Sequence, residues 1–142
     1  MPSAQGSVTI NRPVGDVFAF VANGENARQY RPGVLDVQHV SGDGVGAVYR
    51  QGVKGPGGRR IAADYEVTAF EPNQRIAFHA IAGPVRPNGE YRFEANGDQT
   101  IVTFSLQAEV TGWKRLVMGR AVQSTMDAEV RTLERLKRIL EA

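Results

Sequence analysis

The sequence predicts an α+β fold: a curved seven-stranded antiparallel sheet wrapped around one long C-terminal helix, with two short helices between strands 1 and 2. Three patterns carry this expectation. Residues 34–110 run as short alternations of apolar and polar residues, separated by clusters of Gly, Pro, Asn and Asp, as successive half-buried strands do. From about Arg115 to Glu141 the apolar spacing changes from that of a strand to that of a helix. Between the opening strand and the sheet lies VFAFVANGENARQYRPGV, residues 17–34. It starts a helix, stops at Asn23-Gly24, resumes briefly and breaks at Pro32-Gly33. So short a pair makes a poor core alone, and it is expected to close one end of the curved sheet.

Taken in order, SVTIN, residues 7–11, is a short alternating strand. Pro13 suits a helix start, where a missing N–H costs nothing. Val14, Val17, Phe18 and Val21 share one helical face, and Asp16 favours the positive end of the helix dipole. Gly24 reads as a C-terminal stop, and Pro32 biases Arg31 away from helix. Strands follow at residues 34–40, 47–54, 59–70, 75–81, 90–95 and 100–110. In residues 59–70 the positions Ile61, Ala63, Tyr65, Val67 and Ala69 share one face. In the last strand Val102, Phe104, Leu106, Ala108 and Val110 should point inward. The C-terminal stripe is Met118, Val122, Met126, Val130, Leu133, Leu136 and Leu140, on a helix roughly 40 Å long. Arg120, Asp127, Arg131, Glu134 and Arg138 lie opposite. A meander of alternating strands needs a cover for its apolar face, and only this helix is long enough. No linker or repeat interrupts residues 1–142, which read as a single domain.

Composition narrows the function. The chain has 142 residues, no cysteine, 42% hydrophobic and 23% charged residues, and a formal net charge of +2. Disulfides, thiolate metal sites and a cysteine nucleophile are excluded. The near-balanced charge argues against nucleic acid as a partner. No signal-like N-terminus or bilayer-spanning run is present, so the expectation is a cytoplasmic protein without stable membrane insertion. Lys54, Arg59 and Arg60 cluster around GPGG, either as a solvated hairpin tip or as an anion-steering patch. Two isolated histidines make no metal cluster, and no zinc-protease motif, nucleophile elbow or phosphate-binding loop occurs. No metal or cofactor is expected.

The chain resembles the SRPBCC superfamily, the START-like or Bet v 1-like helix-grip fold, and within it the polyketide cyclase/dehydrase-like branch. The likeness rests on the opening strand and helix, VTINRPVGDVFAFVAN, on YRPGV, on DYEVTAFEPNQRIAFHA and on the terminal amphipathic helix, together nearly the whole chain. The resemblance implies a deep cavity between the sheet and the long helix, its mouth ringed by the two short helices and nearby loops. It supplies no universal catalytic motif, because this scaffold hosts carriers, lipid binders and enzymes alike.

If the alternation holds, the cavity is lined by Tyr49, Tyr65, Phe78, Tyr91, Phe93 and Phe104 from the strands and by Met118, Val122 and Met126 from the helix. Tyr30 is expected near the mouth, and Trp113 is a rim residue or an anchor. Buried tyrosine hydroxyls need partners; several in one cavity would orient a ligand, or each reaches surface or backbone. The methionines are adaptable lining or core filler. Tyr65 and His79 are the acid/base candidates, although His79 should point outward if Phe78 points inward; His39 is read as a surface residue too. Three functions remain open. The chain binds a small hydrophobic or lipid-like ligand, acts as a cyclase, aromatase or dehydratase in the same cavity, or interacts through its surface. It is expected to be a monomer or homodimer.

Overall fold

The computed structural model describes residues 3–83, 85–108 and 113–142, with side chains described except at positions 56, 113–119, 121 and 122. The strands are β1 (Ser3–Ile10), β2 (Val34–Ser41), β3 (Val48–Lys54), β4 (Arg60–Ala62), β5 (Tyr65–Glu71), β6 (Arg75–Ala80), β7 (Asn88–Asn96) and β8 (Gln99–Gln107). The helices are α1 (Val14–Ala22), α2 (Ala27–Tyr30), α3 (Trp113–Arg131) and α4 (Leu133–Glu141). The sheet order is β1-β8-β7-β6-β5-β3-β2, and the short β4 pairs with β3. Consecutive strands mostly pair as hairpins; β4 and β5 instead both pair with β3, and β1 crosses to lie along β8, with Ser3 opposite Gln107 and Ile10 opposite Thr100. This is the curved antiparallel sheet and C-terminal helical cover of the helix-grip fold.

The concave face follows from the alternation of side chains. Val102, Phe104 and Leu106 of β8 are buried, as are Tyr91 and Phe93 of β7 and Ile76 of β6. Ala108, just beyond β8, is buried too, while Val110 lies outside the described residues. On the covering helices Met126, Leu133, Leu136 and Leu140 are buried in the same cluster. α3 packs tightly on β1 at Gly6, where a Cβ would run into the Val130 side chain. At the far end, Arg12 Nε donates to the Leu140 carbonyl (2.7 Å), and Lys137 Nζ donates to the Thr9 carbonyl (2.6 Å). These bonds tie α4 to the exit of β1.

The long C-terminal helix is present but bent, with α3 and α4 as its two arms. At Thr132 the hydroxyl donates to the Glu129 carbonyl (2.5 Å), and the Thr132 amide also turns to that carbonyl (3.1 Å), the kind of competition that bends a helix. Two expectations for the sheet are corrected. The strand expected over residues 59–70 is broken between β4 and β5. There the Asp64 carboxylate accepts the Gln51 amide (3.1 Å), in place of a ladder carbonyl. A register shift between Val67 and Ala69 then reverses the facing of β5 beyond it. Phe70, not Ala69, turns inward, and its ring sits 5.4 Å from that of Phe18.

α1 closes one end of the sheet, as its sequence suggested. Val17, Phe18 and Val21 are buried. The Phe18 ring meets Phe70 and Phe93 edge-on, at 5.4 Å and 5.2 Å, a favoured aromatic geometry.

Leu136, fully buried where α4 meets the sheet, tests this packing. Leu136→Ala is expected to destabilise the fold by about 2–5 kcal/mol, read as a lower urea midpoint with an unchanged slope.

Candidate functional site

Five adjacent strands each contribute a ring to one row on the concave face. Tyr49 and Tyr65 stack at 5.0 Å, Tyr65 meets Phe78 at 5.5 Å, and Phe78 meets Phe104 at 6.4 Å and Tyr91 at 6.5 Å. Tyr91 and Phe104 stack at 4.2 Å, with ring planes 11° apart. Strand register produces this row: Tyr49 lies opposite Tyr65, and Tyr91 opposite Phe104. Tyr49, Tyr91 and Phe104 are buried, whereas Tyr65 and Phe78 keep part of their surface open to solvent although they face inward.

The remaining sequence candidates separate. Phe93 packs under α1 against Phe18, at the closed end. Tyr30, expected near the mouth, is buried, 6.1 Å from the Phe20 ring. Met126 is buried beneath the helices. The side chains of Met118, Val122 and Trp113 lie outside the described residues. His79 points away from the aromatic row, and its Nδ1 is 2.7 Å from the Asn88 Oδ1 on the outer face. His39 is exposed at the sheet rim, with its ring 5.0 Å from that of Tyr49. Of the basic cluster, Arg60 is held by Asp36 through two bonds of 2.8 Å.

Sequence reading missed a polar group beside the rings. Arg31 Nε donates to Glu129 Oε2 (2.6 Å), linking the exit of α2 to α3. Arg31 Nη1 donates to Gln51 Oε1 (3.2 Å), and Gln51 Nε2 donates to the Ala63 carbonyl (3.2 Å). Gln51 is buried two residues from Tyr49, on the same face of β3. Both charges are largely shielded, with side chains 16% and 18% exposed. Burial opposes the Arg31 charge, but the adjacent Glu129 carboxylate more than offsets this, and the guanidinium holds its proton more tightly than in water. The i to i+98 separation hid this pair from any local pattern. The one local signal was a charged residue directly after Tyr30 at the end of α2.

Burial pushes the phenols of Tyr30, Tyr65 and Tyr91 above their ordinary value, and the Arg31 charge opposes the shift in all three. The Tyr49 hydroxyl accepts a bond from the Gly24 amide (3.4 Å). Gly24 does not end α1, which stops at Ala22 with Asn23 as its cap. Its need is space: a Cβ there would collide with the Tyr65 hydroxyl and the Tyr49 ring.

The fold and its ring-lined concave face define a START-like helix-grip protein. The family model described as "Polyketide cyclase / dehydrase and lipid transport" matches residues 1–141, and the chain belongs to that family. Among solved structures it is similar to TTHA0849 of Thermus thermophilus, with TM-score 0.83 and 21% identity over 98% of this chain and 97% of that one. A START superfamily protein of Mycobacterium smegmatis aligns with TM-score 0.75 and 15% identity, over 97% and 98% of the two chains. The Zhui aromatase/cyclase of a Streptomyces species gives 0.63 and 18%, over 96% and 94%. At these identities the likeness is one of fold. No curated protein matches the chain. Among the described residues, no helix is long and apolar enough to cross a membrane.

Two outcomes test the site's packing. Gly24→Ala is expected to cost about 1–3 kcal/mol in denaturant unfolding, because the new methyl must displace two rings. Raised phenols keep their protons in the folded chain after the unfolded chain has lost them. Their stabilising contribution is therefore whole below pH 10.0, the ordinary phenol value, and is lost as pH climbs beyond it. Phenolate absorbance should show Tyr30, Tyr65 and Tyr91 ionising only above that pH, together with unfolding.

Proposed function

We propose that the protein binds a small hydrophobic or amphipathic molecule against the concave face, over Tyr65 and Phe78 and beside Tyr49, Tyr91 and Phe104. The observation that carries this reading is the solvent access retained by two inward-facing rings in the middle of a buried aromatic row. Such a surface is mainly apolar, with a few hydroxyls to fix orientation, as small-molecule sites usually are. Membership of a family described by lipid transport and by cyclase or dehydrase chemistry supports it. The ligand is carried without a metal or cofactor, and nucleic acid is not a partner.

A second reading, catalysis on a polyketide-like substrate, is favoured by one arrangement. The Arg31 charge, paired with Glu129, acts on the phenols of Tyr30, Tyr65 and Tyr91 alike, so phenols and a charged pair are gathered where a substrate carbonyl would lie. The similarity to an aromatase/cyclase is in keeping with this. Proton transfer by positioned phenols would then assist ring closure or loss of water. His79, on the outer face, takes no part in either reading.

Native mass spectrometry of the purified protein should reveal a bound small molecule, and the neutral dye N-phenyl-1-naphthylamine should bind saturably. Phe78→Ala should weaken the dye about tenfold, the equivalent of losing roughly 1.4 kcal/mol of ring contact. Dye that fails to saturate, or that ignores Phe78, would sink the binding reading. Tyr65→Phe separates the two readings: retained affinity with lost turnover of a polyketone marks an enzyme.

A further inference from the structure

The Arg31–Glu129 pair reaches the inward face of β3 through Gln51, and it is electrically balanced. The guanidinium and carboxylate meet at 2.6 Å, so at any distance beyond a few ångströms their fields largely cancel. The Arg31 side bonds to Gln51 on the inward face of β3. Chain adjacency puts Arg31 beside the buried Tyr30. Glu129 reaches the same place from α3, with Oε1 near the Cβ direction of Gly33 (3.8 Å). An anionic ligand head brought here gains attraction from Arg31 but meets repulsion from Glu129, and it must also shed its water. An uncharged hydroxyl or carbonyl meets no such penalty. It accepts from a guanidinium or phenol N–H or O–H and, as a hydroxyl, donates to the carboxylate.

We propose that Glu129, by cancelling Arg31, sets the ligand class to uncharged amphiphiles: an apolar ring or chain ending in a hydroxyl or carbonyl, with carboxylates excluded. This deepens the binding reading given above and rests on it. Glu129 is a selectivity residue and Arg31 its counter-charge. Removing the carboxylate alone leaves an uncompensated cation in a shielded site, which is a receptor for an acid.

The test uses N-phenyl-1-naphthylamine as the reporter and decanol and decanoate as competitors with matched chains. The alcohol is intrinsically the more hydrophobic, so its advantage on the natural protein is expected but not decisive. The decisive readout is the change on Glu129→Gln. Decanoate should gain about tenfold, while decanol stays within about threefold. The double variant Arg31→Gln with Glu129→Gln should lose that gain, since neither charge remains. Thermal unfolding checks that each variant folds. If Glu129→Gln alone does not, Arg31→Gln supplies the opposite arm, in which decanoate should weaken further relative to decanol. Preference of the natural protein for decanoate, or a decanoate-to-decanol ratio indifferent to these substitutions while the dye still binds, overturns the proposal and leaves the binding reading standing. Absence of any dye binding to the natural protein overturns both.

Discussion

A sheet curved enough to face itself cannot fill its own concavity with flat rings, and this constraint governs the rest of the molecule. Tyr49, Tyr65, Phe78, Tyr91 and Phe104 come from five strands and lie edge to edge or stacked across the inner face. Each ring is rigid about two torsions, so it tiles a wall without collapsing toward the middle. Aliphatic side chains behave differently. Leu133, Leu136 and Leu140 of α4 are buried in one cluster with Ile10 and Val102. Leucines gather at one end of the interior and aromatic rings line the sheet, all within one buried cluster.

Aromatic walls bring a second constraint, because three of these rings carry hydroxyls. Among the described residues no buried side-chain nitrogen or oxygen lacks a partner, so the phenols must be answered from within. The Tyr49 hydroxyl accepts from the Gly24 amide, and beside the rings a polar chain runs from Glu129 on α3 through Arg31 and Gln51 to the Ala63 carbonyl at the break between β4 and β5. That break is itself made by Asp64 accepting the Gln51 amide. The interrupted strand and the buried ion pair are therefore parts of one arrangement. Sheet continuity is given up at one edge so that a charged pair can be held near the phenols. An isolated charge could not be kept there.

Local pattern revealed most of the fold. Alternation placed the strands and their inward faces from β6 to β8, and helical spacing identified Met126, Leu133, Leu136 and Leu140 as the covering stripe. It failed where the regular backbone ladder is interrupted. Thr132, Asp64 and the register shift after Val67 each redirect the chain in a way that no periodicity encodes. The aromatic half of the site was legible for the same reason as the strands, since a residue's facing follows from parity. The Arg31–Glu129 half was not, because its partners are distant in sequence and each is an ordinary charged residue until the fold joins them.

Gly24 brings these threads together. Its φ is unremarkable, so no turn demands glycine there; contact does. The chain between α1 and α2 passes so close to the Tyr49 ring and the Tyr65 hydroxyl that no side chain fits, and its amide meets the Tyr49 oxygen. Two residues later Asn26 Nδ2 donates to the Phe20 carbonyl (2.9 Å), which holds the second short helix against the first. From there α2 leads directly to Tyr30 and Arg31. The break in the helix is thus what lets a single short segment do two things. It seals one end of the sheet with Val17, Phe18 and Val21, and a turn later it delivers a phenol and a guanidinium to the interior. A continuous helix through Asn23 would advance only about 1.5 Å per residue along one straight axis, and it could not both cap the end and turn back to the aromatic row. The closure and the polar end of the candidate site follow from the same break in the chain.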